Sequence, residues 1–147
     1  MTDAAEVGQN EPMAWPIDRI ISELQERHDR DPGAATLFPD QSDIERWTGS
    51  DTQKEYALYN DIATALARGF HAGELSFEFC DGVANGLFTT ATASRPLNPD
   101  LPWPDLFFRV FQAFDAGEYH IPEDRTDDPV TEHTKPAIAA IVASFGE

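Results

Sequence analysis

Apolar residues recur along this chain at helical spacing in nearly every segment that holds them. Ile17, Ile20, Ile21 and Leu24 stand at i, i+3, i+4 and i+7, with Asp18, Arg19, Glu23 and Glu26 on other faces. This predicts an amphipathic helix entered through Pro16 and ending near Arg30, before Asp31-Pro32-Gly33. His28 prolongs the stripe and is expected to be a partly buried helix-end histidine. Ser42-Asp43-Ile44-Glu45 has the form of a capping box, predicting a short helical stretch that carries Trp47 and stops at Gly49-Ser50. Thr52 and Glu55 repeat that form at the head of a longer helix, for which Gly69 is the expected C-terminal glycine. Leu58, Ile62 and Leu66, flanked by Tyr59, Ala63 and Phe70, make its apolar face, opposite Lys54, Asp61, Thr64 and Arg68.

Ser76 is a good N-cap for the next helix, whose apolar face comprises Phe77, Cys80, Val83, Ala84, Leu87, Phe88 and Ala91, with Glu78, Asn85 and Thr89 opposite. Gly82 and Gly86, one helical turn apart, imply either a close backbone contact on that edge or a helix frayed by its glycines. Leu75 to Phe79 also alternates as a strand would, and is the one place where the period is ambiguous. Prolines 96, 99 and 102 make residues 93–104 an extended loop before Pro104 opens a helix with an aromatic stripe of Leu106, Phe107, Val110, Phe111 and Phe114, closed by Gly117. The acidic stretch 118–128 reads as a loop, and Pro129 or Pro136 starts a last helix carrying Ile138, Ile141, Val142 and Phe145. The expectation is an all-α fold: one compact domain of about five main helices over residues 15–147, behind a flexible acidic leader, residues 1–14, that lacks any period.

Charge narrows the possible partners. The 147 residues hold 27 acids against ten bases, a formal net charge of -17, and the only lysines are Lys54 and Lys135. A field of this sign repels phosphate backbones and anionic lipid, so neither nucleic acid nor a membrane surface is expected as a partner. Cys80 is the only cysteine, which excludes an internal disulfide. No secretory signal pattern and no membrane-length apolar run is visible, so a cytoplasmic protein is expected.

Candidate chemistry is sparse. Cys80 with nearby His71 and Asp81 invites a nucleophile reading, but its place mid-stripe predicts burial instead. His28, His71, His120 and His133 lack metal spacing, so no metal and no cofactor is expected. Glu118, His120, Glu123 and Asp124 read as a solvated acidic loop, and Asp29 to Gly33 fails as a calcium loop. Phosphate-cradling, dinucleotide and nucleophile-elbow motifs are absent, so no catalytic residue is assigned and a binding module is favoured over an enzyme.

Binding has better candidates. Phe108 is expected to point away from the aromatic stripe toward Asp115, with Trp103 at the helix entrance and Tyr119 after its end, either as part of a binding patch or, the favoured alternative because Phe is mostly buried, as a second core face packed by another helix. Between Phe70 and Asp124 nine acids accompany two bases, Arg95 and Arg109. Glu74, Glu78, Asp115 and Glu118 are accordingly expected to gather near one another or near Phe108, as a patch for a basic protein partner. Inhibitors and immunity-like proteins use this physics. One rival is a ligand pocket or small enzyme site between the 76–92 and 104–116 helices, with Asp81, Asn85 and Arg109 at its edge. Another is a charge that reflects the host's composition and serves no partner.

Overall fold

The computed structural model of the chain describes residues 15–30, 39–49, 51–94, 103–118 and 128–145. Among these there is no strand. Six α-helices follow in order: α1, Ile17–Arg30; α2, Gln41–Thr48; α3, Thr52–His71; α4, Phe77–Ser94; α5, Asp105–Asp115; and α6, Lys135–Ser144. A 3-10 turn, Ala116–Glu118, extends α5, and a wide π-helical turn, Val130–Thr134, leads into α6. The all-α expectation holds. The leader 1–14 and the body of the proline-rich loop lie outside the described residues.

The long α3 is the axis of the bundle, touching each of the other five helices. Its Leu58, Tyr59, Ile62, Ala63, Leu66 and Ala67 are all buried, matching the stripe seen in the sequence. Around it close Ile20 and Leu24 of α1, Ile44 and Trp47 of α2, Phe107, Val110 and Phe114 of α5, and Ile138 and Ile141 of α6. None of the described helices is long and apolar enough to cross a membrane.

Several helix boundaries differ from the sequence reading, each for a local reason. The cap of α2 is Asp40, two residues before Ser42: its carboxylate accepts from Asp43 N at 2.9 Å, and Asp43 Oδ2 accepts from Asp40 N at 3.1 Å. Asp caps as well as Ser does, and here both ends of the box are carboxylates. Likewise Asp51, not Thr52, caps α3 by accepting from Lys54 N at 3.0 Å. Gly69 does not end α3, which continues to His71. The left-handed residue is Gly73, at φ 79°, and Gly69 lies buried with the Leu75 side chain folded over it, where a Cβ would collide. Glu74 N and Leu75 N both donate back to the Gly69 carbonyl, so Leu75 closes the turn and does not begin a strand.

Helix α4 buries two sides rather than one. Cys80, Val83, Ala84, Leu87 and Ala91 are buried as expected, and so is Phe79, which the stripe had left out. Phe79 faces α1, its ring edge-on to His28 with centroids 5.7 Å apart. Gly82 and Gly86 are buried in an intact helix, so their spacing does not fray it. Ser76 caps α4 as predicted, its hydroxyl accepting from Phe79 N at 3.1 Å.

A second glycine sets how closely the C-terminal part packs. Gly117, in the 3-10 turn, lies against Thr134 and Phe77, and a Cβ there would come within 2.8 Å of the Phe77 ring and closer still to the Thr134 hydroxyl. That hydroxyl is already committed, donating to the Ala113 carbonyl at 2.7 Å from a fully buried position. The Gly117→Ala variant is therefore expected to lose about 1–3 kcal/mol, as overpacked interiors do, measured by urea denaturation with an unchanged m-value.

The thiol of Cys80 is fully buried, 3.8 Å from the Leu66 carbonyl, and burial followed by the charge of Asp81 pushes its pKa far above the ordinary range. It is expected to react with a thiol reagent only at the rate at which the domain opens, with labelling becoming fast in denaturant. Rapid labelling of the native protein would contradict this packing.

Candidate acidic and aromatic seam

The antiparallel pair α4 and α5 brings together most of the residues singled out in the sequence. Reading backward along α4 from Phe88 through Asn85 to Asp81 meets, in order, Phe111 and then Asp115 and Glu118 beyond the end of α5. One edge of each helix thus faces its neighbour across a shared seam. On α4 the edge residues recur as Glu78, Asp81, Asn85 and Phe88, and on α5 as Phe108, Phe111 and Asp115, all at spacings of three or four.

Aromatic rings occupy one end of the seam. Phe88 and Phe111 stack face to face with centroids 4.3 Å apart and planes within 4° of parallel. Phe108 lies 6.1 Å from each of them, and Trp103 meets Phe108 edge-on at 5.5 Å. All four aromatic residues are half-buried. Phe108 thus packs against a second helix, the favoured alternative for it, and only its expected neighbour is corrected: the groups around it are aromatic, and Asp115 joins the seam two turns further along α5. Offset and edge-on contacts of this kind stabilise by about 0.5–1.5 kcal/mol each beyond the area they cover.

Carboxylates occupy the other end. Asn85 Nδ2 donates to Glu118 Oε2 at 3.0 Å, tying the 3-10 turn to the middle of α4. Asp81 sits beneath this contact, half-buried, with one carboxyl oxygen buried and unpartnered and its carboxyl within hydrogen-bonding reach of Glu118. Burial first, then the hydrogen bond to Glu118, then the charges of Glu118, Asp115 and Glu78 push its pKa up to about 8. Partial burial and Glu118 also raise Asp115. Crowding of like charges in a poorly hydrated place thus favours the protonated form of Asp81.

The expected binding residues divide. Glu78, Asp115 and Glu118 converge on Asp81, and Phe108 and Trp103 join the aromatic end of the same seam. Glu74 does not: it lines a groove between α1 and α3, with Asp18 and Asp61. Tyr119 lies outside the described residues. Phe88 and Phe111 had been assigned wholly to the core, and Asp81 and Asn85 to the rim of a ligand pocket. Their i, i+3, i+4 spacing on one edge was the available signal, but only the pairing of the two helices shows that the edges meet. No group of His, Cys or acidic side chains among the described residues has the geometry of a metal centre.

The raised pKa of Asp81 has a stability consequence. Folded Asp81 keeps its proton to about pH 8, whereas in the unfolded chain it titrates in the ordinary carboxylate range. The folded state therefore binds more protons between those limits, and this group's contribution is fully present at about pH 4 and below, declines as pH rises, and is lost above about 8. Asp81→Asn keeps a donor toward Glu118 and removes the titration. The variant is expected to be more stable than the parent at about pH 8 by on the order of 1–2 kcal/mol, a value discounted for solvent screening of a half-exposed group, and equal to it at about pH 4. Thermal melts across that range measure both; identical melting at pH 8 would rule out the raised pKa of Asp81.

Comparison with protein-family models, with curated proteins and with solved structures finds no match to this chain, so a functional reading rests on the chemistry of its own residues.

Proposed function

We propose that this chain is a cytoplasmic protein-binding module, of an inhibitor or immunity-like kind, whose α4–α5 seam receives a basic segment of a partner protein. The observation that supports this is the adjacency of four half-buried aromatic rings to four carboxylates along one helix pair. Aromatic side chains in partly desolvated positions are the usual anchors of interfaces. The flanking acids would accelerate encounter with a cationic surface and stack the deck against anionic ones. An arginine suits both ends at once, since its guanidinium lies over aromatic faces and pairs with carboxylates.

A second reading, a small-molecule or enzymatic site at the same seam, draws on the raised pKa of Asp81 amid Glu78, Asp115 and Glu118, because strongly perturbed carboxyl groups concentrate at functional sites. The aromatic end favours the protein partner. The groove with a volume of about 930 Å³ lies elsewhere, between α1 and α3.

The test is retention of proteins from native lysate at about 50 mM and about 500 mM salt, with identification of what is held. The parent should retain a basic protein at low salt and release it at high salt. Phe108→Ala should reduce retention, and the double variant Glu78→Lys/Asp115→Lys should slow association by about tenfold with unchanged far-UV circular dichroism, since a lysine at the C-terminus of α5 suits the helix dipole. Binding indifferent both to salt and to these substitutions would mean that the charge is compositional.

A further inference from the structure

The seam leaves the groove between α1 and α3 without a role. The groove between α1 and α3 has an apolar floor built from Ile17 and Ile21 on one wall and Ala65 and Leu75 on the other. Three exposed carboxylates, Asp18, Asp61 and Glu74, line it. The one cation in its lining, Arg68, has its guanidinium 5.1 Å from the centre of the Phe145 ring. We propose that this groove is a docking site for a cationic amphipathic helix presented by a partner protein.

Shape and charge both lead to that occupant. From Asp61 to Ala72 the α3 wall runs for about three helical turns, roughly 16 Å, enough to meet apolar side chains at i, i+3 or i+4, and i+7 of an incoming helix. Small residues keep the wall low: Ala65 and Ala72 carry only methyl groups, and Gly69 is covered by Leu75. Lysines or arginines flanking the apolar positions would reach the three carboxylates at the rim. The other occupants carry the wrong charge. Residues 1–14 contain Asp3, Glu6 and Glu11 and no lysine or arginine, so this segment would bring three more negative charges to an acidic rim. A second copy would bring a further net charge of -17. The proposal concerns a surface separate from the seam and does not depend on it.

The experiment uses the full chain and a labelled synthetic helical peptide of about three turns, with leucines at i, i+3 and i+7 and lysines on the flanks. Two controls accompany it: a scrambled peptide of identical composition and a glutamate-for-lysine version. At about 0.15 M salt, fluorescence anisotropy is expected to give a dissociation constant at least about tenfold tighter for the patterned cationic peptide than for either control. Amide shift changes should centre on Ile17, Ile21, Ala65 and Ala72. Asp61→Lys/Glu74→Lys should weaken binding by at least about fivefold, whereas Glu78→Lys/Asp115→Lys should leave it within about twofold. Equal binding of the scrambled peptide would reduce the effect to bulk charge and overturn the proposal, as would shift changes centred on the α4–α5 seam. Contacts between residues 1–14 and Ile21 or Ala65 in the free chain would also overturn it, by making the leader the occupant.

Discussion

With so few cations, the placement of each arginine decides where negative charge is left uncompensated, and Arg27 is the one on which the most structure hangs. Its guanidinium bridges α1 to α2, donating to Asp43 Oδ2 at 2.8 Å and Oδ1 at 2.7 Å and also to Glu23 on its own helix. Arg46 closes the ring from α2, donating to Glu23 and Asp43. Burial alone would raise the Asp43 carboxyl; hydrogen bonds from Arg27, the Asp40 backbone and Arg46 reverse that and hold it at about 2. Arg46 also lies 4.9 Å from the Trp15 ring centre and 5.5 Å from that of Trp47, and Arg19 covers Trp15 at 3.8 Å. Part of this knot is solvent-exposed, so its net worth is modest, but removing one member would strand the others half-buried. What it fixes is the position of α1, and with it one wall of the groove against α3.

The opposite end of the molecule is built without such pairs. Among the groups that shift Asp81 there is no arginine or lysine; the crowding of its carboxylates is relieved by the Asn85 amide and by a retained proton. The backbone leaves little freedom here. Gly117 lets the 3-10 turn sit against Phe77 and Thr134, and the Thr134 hydroxyl fastens the π-helical turn before α6 to α5 through the Ala113 carbonyl. Glu118 is thereby carried over the middle of α4, where it meets Asn85 and Asp81. The same antiparallel alignment stacks Phe88 on Phe111 one turn further along, so a single packing geometry produces both ends of the seam.

What could be read from the sequence was whatever depends on neighbours within about four residues. The 3.6-residue period marks the five main helices and a capping-box pattern the short α2, and the endings at Arg30 and at Gly49, with its left-handed φ of 68°, are legible because local chemistry decides them. Caps slipped by one or two positions because Asp40 and Asp51 compete on equal terms with Ser42 and Thr52. Gly69 misled because a glycine can end a helix or admit a neighbour, and only the fold of Leu75 over it distinguishes the two. Phe79 went astray because it packs on a helix distant in sequence, α1, whereas Phe108 packs on α4 as the favoured reading of a second core face has it, with rings and not Asp115 as its neighbours. The candidate site was half legible in the same sense, its residue types visible but their meeting across two helices not.

Net charge alone is a poor guide to function, since at physiological salt its influence fades over about 8 Å. A chain made acidic merely by its host's composition would spread its carboxylates into solvent, where each is cheaply hydrated. The α4–α5 seam does the reverse: it draws Glu78, Asp115 and Glu118 around a half-buried Asp81, whose pKa burial and that crowding push up to about 8. That arrangement lowers stability in the range where the protein would work, and an apolar or amide side chain at position 81 would avoid the cost. Groups that a fold holds against its own stability concentrate where something else is gained, as in binding and catalytic sites. The neighbouring rings of Phe88, Trp103, Phe108 and Phe111 supply a surface on which that gain could be made, so the seam carries the binding proposal and the chain's overall charge does not.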